Sequence, residues 1–220
     1  MKKGISILTV LKKYDLNERQ VLAVEAIRNN KITVLRGRAG VAKSFTSVYA
    51  SMKLLSDKSV NTIALTRPQV TTEKMGFLPG EIEDKFDPYL QPLINFFNRF
   101  GDAGNKTFQS LVVAEKIRRA PIAFMRGSTV EDEILIVDEA QNITPEQMLM
   151  IITRIGKNGK IVVNGDEMQN DLNSGFTGLD YLIALSQKLP YIQTIELVEN
   201  MRDDIINEIV ENWCPPQLAA

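Results

Sequence analysis

Short apolar runs, each ending in a polar or glycine-bearing turn and set apart by helically spaced stretches, constrain this chain's fold more than any other feature. Such runs read as strands buried on both faces. Their alternation with helices reads as a parallel sheet with crossover connections. They lie at Ile32 to Leu35, Thr62 to Leu65, around Ile122 to Met125, Ile134 to Val137, Ile161 to Val163 and Ile192 to Leu197. Helical spacing marks Phe45 to Leu55 and a last segment from about Asp203 to Trp213. The expected class is α/β, a mostly parallel sheet with helices on both faces. Between the second and third runs, Thr71 to Gly80 and Gly101 to Thr107 read as loops. Glu81 to Phe100 has helical spacing that Pro88 and Pro92 are expected to break. The expectation is one domain over 1–213, with an insertion at about 70–110 and a tail at 214–220.

Composition narrows the chemistry. A chain of 220 residues, 44% hydrophobic, suits one full core. Its net charge of −1 confines any nucleic-acid contact to a local patch. No apolar run approaches the roughly 18 residues of a membrane span, and Lys2-Lys3 is followed by no cleavage site, so the cytoplasm is the expected location. Cys214 stands alone, which excludes disulfide scaffolds and cysteine-clustered zinc. Histidine is absent, which removes Ser-His-Asp triads, Cys-His pairs and histidine-ligated metals. Catalysis would then run on carboxylates, Lys, Arg, backbone dipoles and a hard cation, the set that phosphoryl transfer uses.

The first apolar run leads into Gly37-Arg38-Ala39-Gly40-Val41-Ala42-Lys43-Ser44 and then a helix beginning with Phe45. Glycines let a loop wrap a phosphate chain with its N–H groups, and a helix N-terminus favours the anion. Lys43 is placed to reach the β- and γ-phosphates, and Ser44 to offer a hydroxyl to magnesium. The stretch departs from G-x-x-x-x-G-K-S/T at Ala42. Its methyl crowds the phosphates if the loop is tight there and is tolerated if the local φ is negative; the residues alone leave both open, and Ala42→Gly is expected to be nearly neutral or slightly harmful. The alternative for the octapeptide is a plain βα turn with an exposed lysine.

Asp138 and Glu139 end the most apolar run, where strand ends of a parallel sheet gather at a ligand crevice. Asp138 is the metal candidate with Ser44, and Glu139 the residue to polarise an attacking water. Gln169, after Gly165-Asp166, is placed to sense a γ-phosphate, or belongs to a simple turn. Lys116, Arg118, Arg119 and Arg126 form a basic stretch that reads as a nucleic-acid contact or as a solvated face.

Together these residues resemble the PhoH family of P-loop ATPases, whose core is similar to the first RecA-like domain of superfamily 1 helicases. The matching stretches are Thr66-Arg67-Pro68, Gly76-Phe77-Leu78-Pro79-Gly80, Lys85 with Pro88-Tyr89-Leu90, and Met125-Arg126-Gly127. They continue through Val137-Asp138-Glu139-Ala140-Gln141-Asn142, Thr153-Arg154-Ile155-Gly156, and Gly165-Asp166 with Gln169 and Asp171-Leu172. The resemblance implies a RecA-like P-loop core that uses ATP and Mg2+. It implies single-stranded RNA or DNA as partner, with Arg67 among the contacts, and a homo-oligomer, since one core needs a neighbour to work against. It makes Leu16-Asn17-Glu18-Arg19-Gln20 an adenine-reading motif through Gln20, against a plain helix start capped by Asn17. It makes Arg202 a γ-phosphate arginine, against a salt-bridge partner of Asp203 or Asp204, and gives Gln141 the coupling of nucleotide state to the neighbouring loop. The rival reading, motivated by Ala42, is a nucleotide-gated binding module with little turnover. A small-molecule kinase is disfavoured because Asp138-Glu139 suits activation of water.

Overall fold

The computed structural model describes residues 11, 13–68, 82–100, 107–172 and 175–199. Six strands, β1 (Ile32–Arg36), β2 (Thr62–Thr66), β3 (Ile117–Arg119), β4 (Glu133–Val137), β5 (Lys160–Gly165) and β6 (Ile192–Glu196), form one sheet in the order β3-β2-β4-β5-β1-β6. Every pairing is parallel. The helices are α1 (Glu18–Asn29), α2 (Lys43–Ser56), α3 (Ile82–Arg99), α4 (Thr107–Val113), α5 (Pro145–Ile152) and α6 (Gly178–Ser186).

The period of two along each strand sorts the core into two layers. Leu35, Ile63, Leu65, Ile134, Ile136 and Val162 pack on one face with side chains of α1 to α4. Val34, Ala64, Leu135, Val137, Ile161 and Val163 pack on the other with α5 and α6. All five residues of β4 are buried. A strand covered on both faces needs apolar side chains at consecutive positions, which explains its uninterrupted pattern. The register aligns Thr66 with Val137, Val137 with Val163, and Arg36 with Gly165. The loops leaving β1, β2, β4 and β5 therefore emerge along one edge.

Two expectations fail. The third strand is Ile117–Arg119, and Ile122–Phe124 is a 3-10 turn behind Pro121. An edge strand three residues long can be mostly polar: Ile117 is buried, while the two arginines find carboxylates. Arg118 makes a two-pronged pair with Glu133 at 3.0 and 2.7 Å, and Arg119 one with Asp87 at 2.5 and 2.8 Å. The second failure is in α3, which continues through Pro88 and Pro92. Both prolines are exposed, while Phe86, Leu90, Leu93, Ile94 and Phe97 are buried on the opposite face. A continuous apolar stripe holds a helix whose missing N–H bonds fall on the solvent side.

Candidate functional site

The loop from β1 to α2 is shaped by positive backbone angles. Gly37 has φ 142 and Gly40 φ 93. A Cβ at Gly37 would lie 2.2 Å from the Leu197 carbonyl oxygen, so only glycine fits where the segment after β6 crosses the loop. Ala42 has φ 64 and stands as the N-cap of α2 in the left-handed region, with no side-chain cap bond. The negative φ under which the methyl would be tolerated does not occur, and the methyl group occupies a conformation that costs about 1–2 kcal/mol for an L-residue. Ala42→Gly should raise the melting temperature of the nucleotide-free chain by about 2–4 °C, because the strain exists whether or not a ligand is present. For the same reason nucleotide affinity should barely change. A lowered melting temperature would contradict the left-handed loop, and a large gain in affinity would show the methyl meeting the phosphates.

Lys43 begins α2 and folds its amine back over the loop, donating to the Gly37 and Arg38 carbonyls at 2.5 and 3.0 Å. Arg38 itself is exposed and Val41 is buried beneath the loop. Ser44 Oγ donates to Asp138 Oδ1 at 2.8 Å, joining residues 94 positions apart in the chain. In the sheet, β5 lies between the strands that carry these two groups. Its Asn164 fills the gap, donating from Nδ2 to Asp138 Oδ1 at 3.1 Å and Ser47 Oγ at 2.9 Å. Burial pushes the Asp138 carboxyl above the ordinary aspartate range and the Glu139 charge pushes it further, while Arg67, Asn164 and Ser44 oppose the shift.

Glu139 follows in the left-handed region with φ 53, a strained position of the kind found where a side chain must be aimed. Its Oε1 accepts from Arg67 at 3.3 Å and its Oε2 from Gln141 Nε2 at 2.5 Å. Gln141 accepts in turn from the Asp166 N–H at 3.1 Å, and so ties Glu139 to the loop that carries Gln169. The Gln169 N–H bonds the Asp166 carbonyl at 3.0 Å, and its exposed side chain lies at the cleft wall.

One cleft of about 570 Å³ collects these groups. Its polar end holds Lys43, Ser44, Asp138, Glu139, Arg67 and Gln169, and its other end holds Tyr14, Gln20, Phe45, Phe96 and Arg99. Gln20 serves two readings at once. It closes a capping box with Asn17, accepting from that residue's N–H at 3.1 Å, yet its Nε2 is buried without a hydrogen-bond partner among the described residues. Around it Tyr14 and Phe45 stand 5.6 Å apart between ring centroids, and Phe45 and Phe96 meet edge-on at 6.1 Å.

The donor set fits a magnesium nucleotide. A serine hydroxyl and one ionisable carboxylate are hard oxygen ligands, and magnesium takes few protein ligands when phosphates and water supply the rest. Consistently, no cluster of three or more acidic, histidine or cysteine groups occurs among the described residues. The start of α2 leaves N–H groups without intrahelical partners, which an anion can satisfy.

Arg202 lies outside the described residues. Arg118 and Arg119 are held by Glu133 and Asp87, so the expected basic face is largely neutralised, while Lys116 and Arg126 are exposed. Arg67, expected at a nucleic-acid contact, lies beside Asp138 and Glu139. Asn164, Tyr14 and Phe96 are site residues that the sequence reading missed. Asn164 begins the Asn-Gly-Asp turn and could have been noticed as a polar residue ending a buried strand.

A glycine-bearing loop feeding a helix, and a paired-carboxylate strand end one strand away, define a core of the P-loop nucleoside triphosphatase class. A sequence model described as "PhoH-like protein" matches residues 14–214, and the chain belongs to the PhoH-like family. A PhoH-like protein of Mycobacterium tuberculosis (strain H37Rv) is 38% identical over 202 residues, covering 90% of this chain and 56% of that protein. Protein PhoH of Escherichia coli (strain K12) is 39% identical over 187 residues, covering 84% and 51%. The chain thus spans little more than half the length of these relatives. A looser likeness, at TM-score 0.49 and 18% identity over 90% of this chain and 44% of the other, is to a Pif1 helicase from Candida albicans. No described helix is long and apolar enough to cross a membrane.

Proposed function

We propose that this chain binds ATP with magnesium and hydrolyses it, and that the cycle acts on single-stranded nucleic acid within a homo-oligomer. The observation that supports this best is one cleft that brings aromatic rings and the Gln20 amide, its Nε2 unpartnered among the described residues, together with Lys43, Ser44, Asp138 and Glu139.

In this reading Gln20 reads the adenine edge and the rings of Tyr14, Phe45 and Phe96 border the base. Gly37 to Phe45 wrap the phosphates, with Lys43 leaving the loop carbonyls for the β- and γ-oxygens. Ser44 and Asp138 hold the metal, which when bound supplies charge compensation along the phosphates. Glu139 orients and polarises water, Gln169 senses the γ-phosphate, and Arg202 is assigned to its charge. Gln141, bonded to both Glu139 and the Asp166 backbone, passes the state of one to the loop of the other.

Asp138→Asn separates metal binding from folding. A carboxyl whose folded pKa is raised opposes folding increasingly as pH climbs through that value, and costs nothing below its unfolded value. An asparagine oxygen can keep the bonds from Ser44 and Asn164 without the buried charge. The variant should therefore melt no lower than wild type at neutral pH without metal, while magnesium no longer strengthens its ATP binding. Thermal melts and ATP titrations with and without magnesium check both halves.

Coupling is tested by phosphate release with and without single-stranded RNA or DNA, alongside the solution mass. Stimulation by a strand in an oligomer is expected; a monomer indifferent to both strands contradicts that half of the proposal. The rival reading, a binding module with little turnover, is favoured by one observation: both Glu139 oxygens are already occupied by donors.

A further inference from the structure

Arg67 leaves β2 at the edge where the site gathers and stands between the two carboxylates. One guanidinium nitrogen lies 3.7 Å from Asp138 Oδ2 and the other 3.3 Å from Glu139 Oε1. With Gln141 on the remaining oxygen, each Glu139 oxygen accepts one bond. A carboxylate stabilised by a guanidinium and an amide is a weaker base toward a water proton than one without them. Lys43 meanwhile is directed at the carbonyls of its own loop. Among the described side chains, Arg67 thus stands as the cation against a buried Asp138 and its neighbour.

That arrangement is set up to change. Arg67 is only 23% exposed, yet it lines the nucleotide cleft and also a second cleft of about 650 Å³ with Tyr89, Asn142, Met168 and Asp171. A divalent cation on Asp138 would repel the guanidinium from that carboxylate. The terminal phosphate of a triphosphate would offer it a more highly charged partner on the same side. A nucleoside diphosphate would not, because its anionic oxygens stop one phosphate short.

Resting on the reading of the cleft as an ATP site, we infer that Arg67 is a positioning residue that latches Glu139 until the terminal phosphate of a bound triphosphate draws it away. Its transfer frees Glu139 Oε1 to take a water. The chain thereby ties its water-polarising group to the presence of the phosphate to be cleaved. The second cleft's acidic groups, Glu139 and Asp171, argue for the nucleotide as the anion that draws Arg67, over a strand's phosphodiester.

The test compares wild type, Arg67→Ala and Arg67→Lys by calorimetry, with circular dichroism to establish that each is folded. The ligands are ADP and an ATP analogue with an unreactive β–γ bridge, each with magnesium, and Mn2+ alone. Wild type should prefer the triphosphate. Arg67→Ala should lose about tenfold or more of that preference, the usual scale for a charge-assisted hydrogen bond, with ADP affinity little changed. It should also bind Mn2+ more tightly without nucleotide, because no guanidinium competes for the carboxylates. Arg67→Lys should restore part of the preference through its charge. If Arg67→Ala keeps the wild-type ratio, or binds Mn2+ no more tightly, the latch is overturned while the ATP site stands. If wild type binds neither nucleotide, the site assignment fails and the latch with it. If a single-stranded oligonucleotide without nucleotide tightens Mn2+ binding in wild type as Arg67→Ala does, a strand is the trigger and the nucleotide-driven transfer is refuted.

Discussion

Lys43→Ala is expected to weaken ATP binding by about tenfold to more than a hundredfold, on the scale of losing charged hydrogen bonds to a phosphate chain, and to leave no measurable turnover. Lys43 is the cation the loop itself supplies, and its amine already sits over the cradle on the Gly37 and Arg38 carbonyls. Those bonds hold the amine within the loop, so little ordering is required when a phosphate replaces the carbonyls. The fold should survive, because Lys43 is only half-buried and the N-terminal turn of α2 is anchored separately by Ser44 and Thr46. Nucleotide titration and a melting curve on the same sample check both statements. A well-folded variant that hydrolyses ATP at the wild-type rate would remove the loop from the site.

Glu139→Gln should keep ATP and magnesium bound while slowing hydrolysis by roughly two or more orders of magnitude, the usual effect of losing a general base. The substitution is close to isosteric, and a glutamine oxygen can still accept from Arg67. Its amide would face the Gln141 amide, however, so Gln141 must turn over and give up its bond from the Asp166 N–H. That adds a cost of about 1 kcal/mol to the loop that carries Gln169. Single-turnover phosphate release, beside an unchanged binding curve, is the measurement. Normal hydrolysis would place the base elsewhere.

The sheet was legible because β1, β2, β4 and β5 are largely apolar on both faces and each is followed by a polar or glycine-bearing turn. Asp138 and Glu139 were legible as candidates because they directly follow such a run, and Lys43 and Ser44 because they close the glycine-bearing loop after one, where a parallel sheet brings its loops together. The missed features depend on partners far away in sequence. β3 is a strand because Glu133 and Asp87 neutralise its arginines. α3 survives two prolines because its other face is buried beside Phe45 and Tyr49, which also brings Phe96 to the cleft. Asn164 matters only because β5 separates the loop strand from the carboxylate strand, an order the residues alone do not give. The positive φ of Ala42 runs against its own side-chain preference, which is why the residues alone could not give it. The place of Arg67 beside the two carboxylates follows from the end of β2 lying against the start of the Asp138 loop, where the Asp138 N–H bonds the Thr66 carbonyl at 3.0 Å.

Steady-state phosphate release from ATP, measured on the purified chain beside its ATP affinity, bears most directly on whether this cleft is a catalytic site. Magnesium-dependent release that is lost in both Lys43→Ala and Glu139→Gln, with binding lost only in the first, is the expected result. ATP bound at saturation with no release above a protein-free control would contradict it and leave a nucleotide-gated binding module.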